Sequence, residues 1–427
     1  MELVDLATAF EPLQSGMTVY VQGIAMTPTR LLEGLADRCR DLQDVTCFHM
    51  HLEGPTPHLD PTLEGHLHDV SWFIGKNTRS AIAEGRASYL PLFLSDIPGF
   101  VEDRLDLDYA LIQVSPPDRH GYVSLGTSVE AALSAVQKAR TVVALINPLV
   151  PRTRGAAELP VSAVTYGVWH RAPLHALGEG RDEPVLNQIA AQVAALIPER
   201  ATLQLGIGAI PDGVLADLAD HQDLGIHSEM ISDGIQALVE QGVINGRFKT
   251  VDAGLVVCTF ALGRPRFYEF MDDHPMISMR TVNYTNDTAL IRRQPRMISI
   301  NSAVEVDLTG QVAAESVGTR MISGVGGQMD FVRGASLSPG GFSVIALPSR
   351  TATGQPRIVA QVHPGAAVTT TRNHVQFVVT EYGVANLHGL TLTERARQLI
   401  QLAHPADREA LARAYRDQLS PFAPSLD

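Results

Sequence analysis

One fifteen-residue stretch occurs twice in this chain. GIAMTPTRLLEGLAD (23–37) and GIGAIPDGVLADLAD (206–220) agree at seven positions without a gap. They share the leading Gly-Ile, a proline five residues on and the closing Leu-Ala-Asp. Each follows a short β-rich run, MTVYVQG (17–23) or ATLQLGIG (201–208). A strand, a glycine turn, a proline near the helix start and an apolar helix face make the opening unit of an α/β layer. Convergence produces such units too. Duplication is the more constraining reading: two structurally similar α/β domains, with a site where they meet.

The surrounding pattern agrees. ALIQVSP (110–116) and TVVALINP (141–148) read as buried strands around the helix-like SVEAALSAVQKA (128–139), and EPVLNQIAAQVAALI (183–197) reads as a helix. Such alternation favours largely parallel strands. A chain of 427 residues suits two domains of roughly 200 residues each. The polar stretch Gly178–Asp182 is the candidate linker, dividing the chain into domains 1–180 and 181–427. Later strand-like runs are RMISIN (296–301), VEVDLTG (304–310), FSVIAL (342–347) and QFVVTEYG (376–383). The stretch 391–419 reads as two helices, with Thr393 as N-cap and His404-Pro405 breaking the run.

Composition removes several function classes. A net charge of −13 argues against nonspecific nucleic-acid binding. No apolar run reaches the roughly 18 residues a membrane helix needs. MELVDLATAF carries no basic segment, so a secretory signal is not expected. Cys39, Cys47 and Cys258 are scattered and odd in number, which points to reduced thiols and a cytoplasmic protein. Lys76, Lys138 and Lys249 are the only lysines, so a Schiff-base mechanism has few candidates and phosphates would meet arginine and backbone amides.

The richest stretch for chemistry is GIHSEMISDGIQALVEQGVING (225–246), where Glu229 and Asp233 are four apart between glycines. Its plain reading is a helix start with Ser228 or Ser232 as cap. Its functional reading is a carboxylate on a tight turn, nucleophilic when a thioester is held against it and water is excluded. ISGVGGQMDFVRGAS (322–336) offers Gly324, Gly326 and Gly327, whose amides suit an oxyanion hole or a phosphate nest. GIGAIP (206–211) starts like a dinucleotide fingerprint but has Pro211 at the third glycine, so NAD is not expected. His49, His51, His58, His66 and His68 cluster near Glu53, Asp60 and Asp69. They show no recognised ligand spacing, and no metal is expected. No GxSxG, GxxxxGK[ST] or CxxC occurs.

Taken together, these motifs resemble the acetyl-CoA hydrolase/transferase family, in particular its 4-hydroxybutyrate and butyryl-CoA:acetate CoA-transferase branch. The likeness runs over nearly the whole chain. It is carried by NTRSAIAEGRASYLPLFLSDIP (77–98), DYALIQVSPPDRHGYVSLGTSV (108–129), LGIGAIPDGV (205–214), GIHSEMISDG (225–234), INSAVEVDLTGQV (300–312), GVGGQMDFVRGA (324–335) and the segment 379–409. The resemblance implies two similar open α/β domains with the active site in the cleft between them. It makes Glu229 the covalent nucleophile and Asn301 an active-site asparagine. It gives Gly206, Ile207, Gly208, Gly326 and Gly327 to the loops that supply amides to the oxyanion and bind CoA. NPLVPRTRG (147–155) places Arg154 where many relatives carry histidine, so Arg154 is a candidate for acid selection and for pairing a dicarboxylate.

The implied reaction is ping-pong CoA transfer between carboxylic acids through a glutamyl-CoA thioester. Coenzyme A is then substrate and product, with no permanently bound cofactor, and the chain is expected to form a homodimer or higher homo-oligomer. Acetate with 4-hydroxybutyrate or butyrate is the implied pair. The alternatives are a succinyl-CoA:dicarboxylate transferase (itaconate, for example), an acyl-CoA hydrolase on the same scaffold and, last, a non-catalytic sensor of CoA esters.

Overall fold

The computed structural model describes residues 1–178 and 183–419, so the expected linker lies outside the described residues except for Gly178. The first sheet has eight strands, all parallel. Across it the order is Glu2–Leu3, Tyr166–Trp169, Thr141–Ile146, Tyr109–Val114, Thr18–Val21, Val45–His49, Leu67–Ser71 and Ala87–Tyr89. The central strand Tyr109–Val114 is buried at every position, as a parallel strand covered on both faces must be.

The second sheet runs Gly225–Ile226, Thr202–Leu205, Met297–Asn301, Phe342–Ala346, Phe377–Thr380 and Gly383–Asn386. Its first five strands are parallel and only the last pair is antiparallel. Five strands of each sheet therefore follow one plan. In both, the strand of the repeated unit lies between the next strand in sequence and a later one, and two more follow outward. The register makes the equivalence residue by residue. Tyr20, three residues before Gly23, pairs with Phe48; Leu203, three before Gly206, pairs with Ile226. Counting on one and three positions, buried His49 matches buried His227, and His51 matches Glu229.

The repeated unit is realised with a shifted helix. In the first copy the helix is Thr29–Cys39, entered from Pro28, and it buries Leu31, Leu32, Leu35, Ala36 and Cys39 on one face. In the second it is Ala209–Ala216, with Pro211 inside the first turn. Gly208 before it has φ +110°, a conformation that only glycine adopts without strain.

The two halves interlock. Arg154–Gly155 adds to Ile277–Met279, which pairs with Val256–Cys258, and Ser128 bridges Phe260. The helix expected over 128–139 covers only Ala132–Lys138. Glu130, at φ +33°, instead turns its buried carboxylate onto the amide of Gly23 at 2.8 Å. In the C-terminal pair of helices, Thr391 is the N-cap, in a reciprocal capping box with Glu394. Thr393 is buried inside that helix with its hydroxyl taken by Tyr415, so the expected cap was two residues late. The three cysteines are buried, separate thiols. Among the described residues no helix is long and apolar enough to cross a membrane.

Candidate active site

Glu229 is not at a helix start. The helix of this segment begins at Gly234, and neither serine caps it: Ser228 Oγ donates to the carbonyl of Leu205 and Ser232 Oγ to Asp212. Glu229 sits at a bend just before the short strand Met230–Ile231, and backbone hydrogen bonds hold it there. Its carbonyl accepts from the amides of Thr259 (2.9 Å) and Phe260 (3.0 Å), and the Ser228 amide donates to Val257. Thr259 also reaches across to the first domain, its carbonyl accepting from the Val129 amide at 2.9 Å.

The Glu229 side chain is half-buried beside a second carboxylate. Asn286 Nδ2 donates to Glu229 Oε2 at 2.9 Å and to Asp330 Oδ2 at 3.2 Å. Thr285 Oγ1 donates to Asn286 Oδ1 at 2.8 Å, which leaves the amide NH2 facing the two acids. Ser95, from the first domain, donates to Asp330 Oδ1 at 3.1 Å. Burial raises the Glu229 carboxyl above the ordinary range, and the Asn286 bond pulls it partly back. Asp330 is pushed up to about 7 by burial and by the charge of Glu229, against the bonds from Asn286 and Ser95.

Gly327 closes this corner. A Cβ there would lie 1.9 Å from Glu229 Oε2 and 2.0 Å from Asn286 Nδ2, so no side chain fits. Gly327 is the N-cap of the helix Gln328–Leu337, whose positive end therefore abuts the carboxylate. The loop before it is seated on the first domain. The Gly326 carbonyl accepts from Leu94, Tyr89 Oη accepts from the Val325 amide, and Gly324 packs on Trp72 and Phe73.

In front of Glu229 lies a cavity of about 170 Å³, lined chiefly by apolar side chains from both domains. Ile24, Met50, Phe73 and Leu94 come from the first; Ile207, Met230, Phe260 and Leu262 come from the second. Ile24 and Ile207 are the same position in the two copies of the repeat. His51 and Glu53 are the polar residues of the lining besides Glu229. On the other side of Ile207, a cavity of about 320 Å³ is bordered by Gly208, Ala209, Ser302, Arg350 and Arg357.

Of the residues singled out in the sequence, Glu229, Ile207 and Gly327 meet at the first cavity or its edge, and Gly206 and Gly208 form the turn between the two cavities. Gly326, at φ +61°, holds the approach to Gly327. Asn301 does not reach Glu229; its Nδ2 donates to Gln204 and Ser299 at the end of its strand. Arg154 does not enter either cavity. It is exposed on an edge strand and paired with Asp273 at 2.7 Å, so within this chain it is not placed to select acids.

The histidine cluster splits. His49 and His58 are buried on Asp69, at 2.9 and 3.2 Å. Burial pushes the Asp69 carboxyl up, but the two imidazoles outweigh it and hold it well below the usual range. One ligand atom from each of the three lies within 4.8 Å of the others, a gathering that the spacing in sequence did not reveal. His66 bonds the Leu42 carbonyl and His68 bonds Ser88. Asn286, Asp330 and His51 were missed as site residues. YTND (284–287) fits no motif, and Asp330 looks like an ordinary first-turn acid.

Models of the acetyl-CoA hydrolase/transferase N-terminal and C-terminal domains match residues 2–175 and 263–415. The chain belongs to the acetyl-CoA hydrolase/transferase family. Within that family it is a CoA-transferase: relatives at 36–44% identity over most of the chain carry that activity. The succinyl-CoA:acetate/propanoyl-CoA:succinate CoA transferase of Fasciola hepatica is 44% identical over 413 residues, 95% of this chain and 86% of the relative. The 4-hydroxybutyrate coenzyme A transferase of Clostridium kluyveri is 43% identical over 417 residues, 97% of each. The crystal structure of RipA from Yersinia pestis superposes with a TM-score of 0.91 at 34% identity, over 97% of both chains.

Proposed function

We propose that this acetyl-CoA hydrolase/transferase family member moves CoA between short carboxylic acids by a ping-pong route on Glu229. A Glu229 carboxylate oxygen attacks the acyl-CoA carbonyl, the C–S bond breaks, and CoA leaves as thiolate with the acyl group held as an anhydride. The thiolate then attacks the γ-carbonyl of Glu229, expelling the first acid as carboxylate and leaving a glutamyl-CoA thioester. An incoming carboxylate reverses both steps. The observation that carries this reading is the placement of Glu229: half-buried, against Gly327 and a helix N-terminus, in the lining of an apolar cavity.

A carboxylate is a weak nucleophile toward a thioester, so binding energy from the rest of CoA must position it. The cavity beyond Gly208, with the Nε of Arg357 buried and unpartnered, suits the CoA arm. Backbone amides of the Gly206–Gly208 and Gly326–Gly327 turns then serve the tetrahedral intermediates. Apolar walls keep water from both activated species, which favours transfer over hydrolysis. The acid pair takes in acetate and a C4 acid such as 4-hydroxybutyrate, butyrate or succinate, in keeping with the names of the relatives. The working enzyme is a homo-oligomer in the cytoplasm, with no permanently bound cofactor.

The test is mass spectrometry of the protein after acyl-CoA is added without an acceptor. The peptide bearing Glu229 should gain the mass of CoA less one water, the adduct should vanish on adding acetate, and Glu229→Ala should show neither. Turnover with no adduct and undiminished by that substitution would refute the reading.

A further inference from the structure

Asn286 reaches Glu229 from the end of Val282–Thr285, a single helical turn with little stability of its own. The turn is anchored from outside. Tyr284 Oη donates to Asp252 at 2.8 Å, and the Val282 amide donates to the Glu130 carbonyl at 3.2 Å. A third anchor comes from the segment that carries the glutamate. His227, two residues before Glu229, is fully buried and bonds the Thr285 carbonyl through Nε2 at 2.8 Å. A carbonyl only accepts, so Nε2 carries the proton. Nδ1 is buried without a partner. Burial and the charge of Lys249 push the imidazole down to about 4, so the ring stays neutral in that tautomer.

The place of this bond gives it leverage. The Thr285 carbonyl and the Asn286 nitrogen belong to one planar peptide unit, so His227 grips the plane on which Asn286 is mounted. The other edge of that plane is held by the Asn286 amide on the Val282 carbonyl at 2.9 Å. Thr285 Oγ1 then donates to Asn286 Oδ1 at 2.8 Å and fixes which end of the side-chain amide faces the acids. The same imidazole packs on Phe331, with centroids 6.2 Å apart, next to Asp330 in the helix that Gly327 caps. One ring therefore touches both elements that bring Asn286 and Asp330 to Glu229. His49, at the matching position of the first domain, bonds the Asp69 carboxylate instead, so this backbone contact belongs to the half that carries Glu229.

We infer that His227 is a positioning residue of the transfer reaction, which through the Thr285 carbonyl holds the Asn286 amide against Glu229. It lines neither cavity, so it acts through Asn286 and not on the substrate. Without its N–H the turn is free to shift and Asn286 Nδ2 withdraws from Oε2. The carboxylate then loses its orientation and a bond that favours its ionised form. The titratable groups near Glu229 are Asp330, His51 and Glu53, and those near His227 are Lys249 and Asp252. None of these is altered in the test. This inference rests on the proposed role of Glu229.

The experiment measures kcat against pH for the exchange of labelled acetate into acetyl-CoA. His227→Phe keeps a ring against Phe331 but has no N–H, and His227→Gln offers an N–H at the place of Nε2. Asn286→Ala, the double variant of His227→Phe with Asn286→Ala, and Glu229→Ala complete the set. His227→Phe should lower kcat by about tenfold or more and move the acid limb to higher pH, as Asn286→Ala does. The double variant should stay within about threefold of Asn286→Ala alone, since both changes remove one contact. His227→Gln should recover most of the loss. If His227→Phe does not fold, Thr285→Val tests the same relay: it removes the hydroxyl that orients the Asn286 amide and should reproduce the lowered kcat and the shifted limb. A kcat unmoved by these substitutions, a loss that multiplies in full with that of Asn286→Ala, or a glutamine as impaired as phenylalanine would overturn the positioning role alone. Exchange undiminished in Glu229→Ala would overturn the Glu229 reading along with it.

Discussion

Gly327 lies so close to Glu229 that a methyl group in place of its hydrogen would penetrate the carboxylate, 1.9 Å from Oε2. With φ at −100°, alanine is allowed by the backbone there, so the conflict is with the Glu229 carboxylate and with Asn286 Nδ2, 2.0 Å away. Gly327→Ala should therefore lower kcat by about a hundredfold, roughly 3 kcal/mol of barrier, through misplacement of the carboxylate. Thermal unfolding of the same variant should show a far smaller loss.

Asn286 gives a pH signature. Its bond favours the ionised form of Glu229, so Asn286→Ala removes a force that lowers the pKa, and the carboxyl moves further up. The acid limb of the kcat profile should shift to higher pH and the plateau should fall. An unshifted limb would mean that this bond does not tune the group that titrates.

Asp330 predicts how stability varies with pH. Its carboxyl titrates near 7 in the fold against an ordinary value of 3.8, so the folded state binds more protons between those limits. Stability from this group is full below about 4, falls as pH rises to about 7, and is level beyond. Asp330→Asn should remove that fall, gaining on the parent by up to a few kcal/mol between pH 4 and pH 7 in urea unfolding. A gain independent of pH would contradict the buried-acid assignment.

Asp69 predicts the opposite kind of loss. It serves two buried imidazoles, and Asp69→Ala should cost about 3–5 kcal/mol at neutral pH by leaving them unpartnered. Denaturant unfolding measures it. A cost under 1 kcal/mol would mean that the trio is not a structural clamp.

Arg154→His should leave the ratio of succinate to acetate turnover within about twofold, since the guanidinium is engaged with Asp273 on an exposed edge. A larger change in the ratio would require Arg154 to act where this chain does not place it.

Much of the fold was legible because it is local. Alternating apolar runs and the repeated Gly-Ile turn report on backbone and burial within a few residues, and both sheets follow from them. Glu229 was legible for its motif, although the expected serine cap and the Thr393 cap both misread which residue starts a helix. The partners of Glu229 were not legible. Asn286 is 57 residues from it in sequence, and the Ser95–Asp330 bond spans 235, distances at which only the folded chain decides who meets whom. His51 was visible as one of five histidines, but its matching to Glu229 depends on strand register, which composition does not carry. Arg154 failed for a similar reason: a substitution within a motif says nothing of which way the strand faces.

The Thr259–Phe260 peptide has a mechanical consequence. Its amides are pinned to the carbonyl of Glu229, while the Thr259 carbonyl is pinned to Val129 across the domain boundary. Glu229 is thus riveted to both halves, and swinging them apart would shear the rivet before it widened the cleft. That linkage favours passage of acids through the turns and side chains at the rim over a parting of the two halves.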